Sequence, residues 1–186
     1  MAEDYFEAMG LERRLGWTQE DLRVRYDSQC QEMHPDSGGE AGDFQRLRQA
    51  YAELQSPGRR LRHWLELGGE PLEKGGMLPE LVTEHFGELG PLLQQAADLA
   101  HRHAAAQSSL VRSMAEREGM GLLPKLELAR ERIEARIDEL EQRFTDFDAR
   151  GVTTCGGEAK EVARSLLFLE KWEREVREAW GKMGCW

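Results

Sequence analysis

Apolar residues recur along this chain mostly at spacings of three and four, the period of helices rather than the period of two expected of strands. A short amphipathic segment at 4–11, "DYFEAMGL", opens the pattern, and Gly16-Trp17 interrupts it. Thr18 is then placed as an N-cap, with Asp21 at the capping-box position where Glu or Gln is more usual. The helix it starts is predicted to run to about Met33, burying Leu22, Tyr26, Cys30 and Met33. A second helix is predicted from about Asp43, with Phe44, Leu47, Ala50, Tyr51 and Leu54 as its stripe and Pro57-Gly58 as its end. "RRLRHWLEL" then makes a shorter helix to Leu67. These elements form an antiparallel helix pair closed by two short helices.

Residues 68–77, "GGEPLEKGGM", hold four glycines and a proline, the clearest composition break in the chain. They are read as a linker between a domain at 1–67 and another at 78–186. Three long helical patterns follow. The first, 78–118, is weakened at Gly87 and should kink or break at Gly90-Pro91. The second, 121–150, carries Leu122, Leu126, Ala129, Ile133, Ile137, Leu140, Phe144 and Phe147, and as one helix would be about 45 Å long. "GVTTCGGE" at 151–158 reads as a loop. The third runs from Ala159 to about Met183 with Val162, Leu166, Leu169, Trp172, Val176 and Trp180. Three stripes joined by short turns predict an antiparallel three-helix bundle. The fold class is all-α. Three helices can satisfy one another, so a monomer is the default, although the heptad-like spacing also allows a homodimer seam.

Composition narrows the picture. Of 186 residues, 32% are charged and the net charge is −10, which speaks against a nucleic-acid partner. The first 67 residues hold nine arginines and no lysine against thirteen acids, so "RVR" at 23–25 and "GRRLRH" at 58–63 are the candidates for a small positive site. Cys30, Cys155 and Cys185 are odd in number and never in a CxxC pair, so neither a zinc module nor a disulfide framework follows. The acidic start lacks the features of a signal peptide, and no stretch approaches the roughly 18 apolar residues of a membrane span. A reducing cytoplasm is the expected compartment, with no membrane association.

The corner between the first two main helices holds His34-Pro35-Asp36. A proline pushes the residue before it out of helical geometry, and Asp36, Ser37, Gly38 and Gly39 are ordinary turn formers. Alone, the tripeptide is explained by the chain turning around. Its flanks add more: Tyr26 lies eight residues before His34, and "DFQRLRQAYAELQSP" follows it. In this frame the first 67 residues resemble a J-domain.

That resemblance implies a co-chaperone that docks on a DnaK/HscA-type chaperone through His34, Pro35 and Asp36 and stimulates its ATPase. Pro35 limits the loop's freedom, Asp36 offers a carboxylate to an arginine of the ATPase, and His34 orients the loop. Tyr26 belongs to the same helix, where Arg23 and Arg25 would steer an acidic partner. The family usually carries more basic residues on that helix than Asp27, Ser28, Gln31 and Glu32 provide, so steering is expected to be weak.

The start "DYFEAMGL", the absence of a Gly/Phe-rich segment, and "RSLLFLEKW" at 164–172 with "LPELVTEHF" at 78–86 are similar to the HscB family of iron–sulfur-assembly co-chaperones. By that likeness the bundle would hold an iron–sulfur scaffold protein on Val82, Thr83, Phe86 and Phe168. Gly87 and Gly90 stand where the family has acidic side chains. No P-loop, Rossmann fingerprint or nucleophile elbow is present, so no catalytic residue, metal site or cofactor is expected and the chain is not read as an enzyme. The alternative is a helical adaptor with a J-like domain and a client unrelated to iron–sulfur clusters.

Overall fold

The computed structural model describes residues 3–32, 41–73, 75 and 87–186. Helices dominate them, and no strand occurs among the described residues. The chain packs as two compact units, 1–77 with 140–167, and 78–139 with 168–186. The composition break at 68–77 divides the chain in sequence, whereas residues 140–167 pack with the N-terminal segment.

In the first unit, α1 (Tyr5–Ala8) is capped by Asp4, whose carboxylate accepts from the Phe6 and Glu7 amides. Helix α2 (Gln19–Glu32) starts with the expected box: the Asp21 amide donates to Thr18 Oγ1 at 3.1 Å, and the Thr18 amide donates to the Asp21 carboxylate at 3.1 Å. The hydroxyl and amide of Thr18 hold the Asp21 carboxyl below its ordinary value. Helix α3 (Ala41–Leu54) runs antiparallel to α2, with Gln19 reaching the Gln55 carbonyl at one end and Tyr26 lying on Tyr51 further along. Leu47, Ala50 and Leu54 are buried as predicted, but Phe44 is exposed. Pro57 does more than end α3. Ser56 caps a new helix, α4 (Pro57–Leu67), in which Pro57 occupies the first turn, where its missing N–H costs nothing.

In the second unit, α5 (Leu89–Ala105) begins where a break was expected. Gly90 and Pro91 fall in its first turn, where helical N–H groups lack partners anyway. A further interruption, not expected, comes at 106–108, and α6 (Ser109–Glu141) then continues through Gly119, Gly121 and Pro124. The predicted 121–150 helix is therefore two: α6, and after a turn α7 (Phe144–Arg150). Gly151, at φ +74°, makes the next break in a conformation only glycine adopts cheaply. Directly after it α8 (Val152–Gly184) begins, so 152–158 is helical rather than a loop. Cys155 is buried there with its thiol 3.2 Å from the Gly151 carbonyl, which offsets the weak propensity of the glycines around it.

Helix α6 runs antiparallel to α5. Arg102 near the end of α5 pairs with Glu118 in the first third of α6, and Leu92 near the start of α5 lines one groove with Leu128 further along α6. Ala96, Leu99, Leu122, Leu126, Ile133, Leu169 and Val176 are buried, while Trp180 of the predicted stripe is exposed.

Candidate functional site

The first unit is tied together by polar contacts that place α2. Arg25 Nε donates to the Met9 carbonyl at 2.9 Å, closing the C-terminal end of α1. Gly10, at φ +60°, passes so close that a Cβ there would meet the Arg25 guanidinium at 2.4 Å. Arg25, expected as a steering charge, is thus committed to the framework. Its neighbour Arg23 is exposed and pairs with Glu20 at 3.2 Å. Around it the surface of α2 is mixed: Asp27, Gln31 and Glu32 are exposed beside Val24.

Tyr26 faces inward. Its ring stacks on Tyr51 with centroids 4.3 Å apart and planes 18° apart, joining α2 to α3. Burial, and then a hydrogen bond with Cys30, push the phenol above its ordinary value. The positive charge of Arg48 works the other way. Arg48 is exposed on α3, one turn before Tyr51, and was not singled out by the sequence reading. Its signal was the "RLR" at 46–48, in which Arg46 pairs with Glu3 at 2.6 Å and Arg48 holds no ion pair among the described residues.

His34, Pro35 and Asp36 lie outside the described residues, as do Val82, Thr83 and Phe86. Phe168 is described: it is half-buried on α8, its ring 6.4 Å from that of Trp172.

The other positive candidate, 58–63, is not an open basic patch. Arg59 and Arg62 both reach Glu53, at 3.3 and 3.1 Å. Arg60 is buried and pairs with Glu141 at 2.7 Å. In the same helix His63 is buried and accepts the Tyr5 amide on Nε2 at 3.0 Å. Burial lowers its pKa, with Asp4 and Glu66 acting the opposite way. The "HRH" at 101–103 is likewise used internally. His103 lies 3.3 Å from Glu116 and stacks on Trp186 at 4.4 Å. Among the described residues no cluster of His, Cys, Asp and Glu is arranged to hold a metal ion, and no helix is long and apolar enough to cross a membrane.

No protein-family model matches the chain. Over 97 residues, half of its length, it is 32% identical to "Chaperone protein DnaJ 1" of Nocardia farcinica (strain IFM 10152), and it spans about a quarter (24%) of that curated relative. The solved structure of chaperone HscB from Vibrio cholerae matches with a TM-score of 0.55 at 19% identity, covering 95% of this chain and 96% of that one. The chain has the HscB fold. The structure of human co-chaperone protein HscB matches at a TM-score of 0.48 and 18% identity, over 95% of this chain and 82% of that one. In this HscB-like fold Tyr26 joins α2 to α3, Arg25 joins α2 to the end of α1, Arg23, Arg46 and Arg48 are the exposed cations of the helix pair, and Phe168 belongs to the second unit.

Proposed function

We propose that this chain is a J-domain co-chaperone. It binds a DnaK/HscA-type chaperone through the loop His34-Pro35-Asp36, stimulates that partner's ATPase, and delivers a client to it. The observation that supports this most is the α2–α3 pair, antiparallel and stacked through Tyr26 and Tyr51, with that tripeptide in the connection between them. The likeness to a DnaJ protein and to HscB supports the same reading.

In this reading 1–67 is the J-domain, 68–77 the linker and 78–186 the client-binding part. Asp36 offers its carboxylate to a guanidinium on the ATPase, and a bidentate pair of that kind gains strength on losing water. Steering falls to Arg23 and Arg48, because Arg25 is engaged by the Met9 carbonyl. The client is an iron–sulfur scaffold protein, held on Val82, Thr83, Phe86 and Phe168. The protein works as a monomer in a reducing cytoplasm, where its three free cysteines persist as thiols.

The deciding experiment is steady-state ATPase of a DnaK-type chaperone with this protein, with Asp36→Asn, and with purified scaffold added. Stimulation that Asp36→Asn abolishes, and that scaffold enhances, is the expected result. Stimulation indifferent to scaffold keeps the J-domain role and removes the iron–sulfur client. No stimulation at all overturns the proposal in favour of a helical adaptor. That second reading draws on the mixed charge of the α2 surface, where Arg23 stands between Glu20 and Asp27.

A further inference from the structure

Helix α6 presents an unusual outer face. Leu110, Met114, Arg117, Lys125, Leu128 and Arg132 share one stripe of helical spacing that contains no acid. Leu110 is 70% exposed, Met114 54% and Leu128 48%. The cations of the stripe differ from the other arginines of the helix's C-terminal half. Arg130 is paired with Glu127 and Glu134, and Arg136 with Glu139. Among the described residues no carboxylate lies within ion-pair distance of Arg117, Lys125 or Arg132.

Within the second unit this stripe borders a groove of about 850 Å³ between α6 and the start of α5. Lys125, Leu128 and Arg132 form one wall, and Gly87 and Leu92 lie on the other, with Glu88 the one carboxylate among the described lining residues. Gly87 leaves that wall without a side chain.

We propose that this groove binds an acidic amphipathic helix of a partner protein. A furrow between two antiparallel helices is shaped for a third, whose apolar face would cover Leu92 and Leu128. Lys125 and Arg132 stand seven residues apart, about 10.5 Å along the axis, matching two carboxylates two turns apart on the incoming helix. Unpaired cations beside exposed apolar side chains select for acids next to leucines and against lysines. An anionic bilayer is the less favoured occupant, because the surface is a concave furrow and a bilayer is broad and flat. The inference needs no chaperone activity.

The test is fluorescence anisotropy with the full chain and a labelled synthetic peptide of about five helical turns, leucines along one face and glutamates flanking them two turns apart. Its twin carries lysine for every glutamate. Binding of the acidic peptide alone is expected, weakening with salt and falling at least about tenfold in the double variant K125E/R132E. Both changes are at exposed positions, so helicity and melting should stay unchanged, and the comparison of the two peptides on the unaltered chain does not depend on any variant. Equal binding of both peptides, no binding of either, or an affinity unmoved by the double variant each overturns the proposal. Failure with the peptide but sedimentation with phosphatidylserine vesicles would assign the stripe to a membrane surface instead.

Discussion

The guanidinium of Arg60 is only 2% exposed and meets the carboxylate of Glu141, 81 residues away, at 2.7 Å. It also donates to the Leu54 carbonyl at 3.1 Å and lies 5.3 Å from the centre of the Phe144 ring. A charge so deeply buried is tolerated because it is paired, hydrogen-bonded and stacked. The contact fastens α4 to the last residue of α6.

Removing one partner should therefore cost more than removing the charges together. Glu141→Ala leaves the buried guanidinium without its carboxylate and is expected to destabilise by about 3 kcal/mol. The double change Arg60→Met with Glu141→Leu restores apolar packing and should cost distinctly less. Urea titrations of the three proteins decide it, and a double variant as unstable as the single one would contradict the account.

Arg23 and Arg25 should separate cleanly. Arg25→Ala loses the bond to the Met9 carbonyl and its cover over Gly10, so about 1 kcal/mol of stability should go. Arg23→Ala removes only an exposed pair with Glu20 and should leave the melting temperature unchanged while slowing association with an acidic partner. Thermal melts and association rates at low salt measure the two effects.

His63 should make the fold acid-sensitive in an unusually high range. Its Nε2 accepts the Tyr5 amide, a role open only to the unprotonated ring, and burial depresses its pKa below the ordinary 6.5. The unfolded chain therefore binds the proton more readily. Stability is fully present above about pH 6.5 and is lost as pH falls through the lowered folded value. His63→Gln, whose side-chain oxygen can accept the same amide, should flatten the slope of urea midpoints between pH 7.5 and 5.5.

Trp186 and Gly119 should be coupled. A Cβ on Gly119 would sit 2.4 Å from the edge of the Trp186 ring, which is stacked in turn on His103. Alanine in a helix interior is otherwise worth about 1 kcal/mol over glycine. Gly119→Ala should thus gain nothing in the natural chain and raise the melting temperature in a Trp186→Ala background. Additive effects in calorimetry would show that the contact carries no energy.

Much of the helical character was legible from spacing alone. The Thr18–Asp21 box, the stripe of Leu47, Ala50 and Leu54, and the buried series Leu122, Leu126 and Ile133 were each readable because caps and periodic burial are local properties. Helix boundaries were less readable. Gly90-Pro91 signals a break by local rules, and α5 begins there because both residues are cheap in a first turn, whereas the interruption at 106–108 carries no glycine or proline to announce it. Gly156 and Gly157 signal a loop, yet α8 runs through them beside a buried Cys155.

The site divides in the same way. Sequence by itself marked His34-Pro35-Asp36 with Tyr26 upstream, because a short motif and its spacing are written along the chain. It also determined an all-helical protein with a glycine-rich break at 68–77. Only the tertiary structure decided that Arg25 closes α1, that Arg60 is buried against Glu141, and that residues 140–167 pack with 1–77. The physical reason is that a charged side chain looks the same in sequence whether water or a distant carboxylate receives it, and that choice is made by packing.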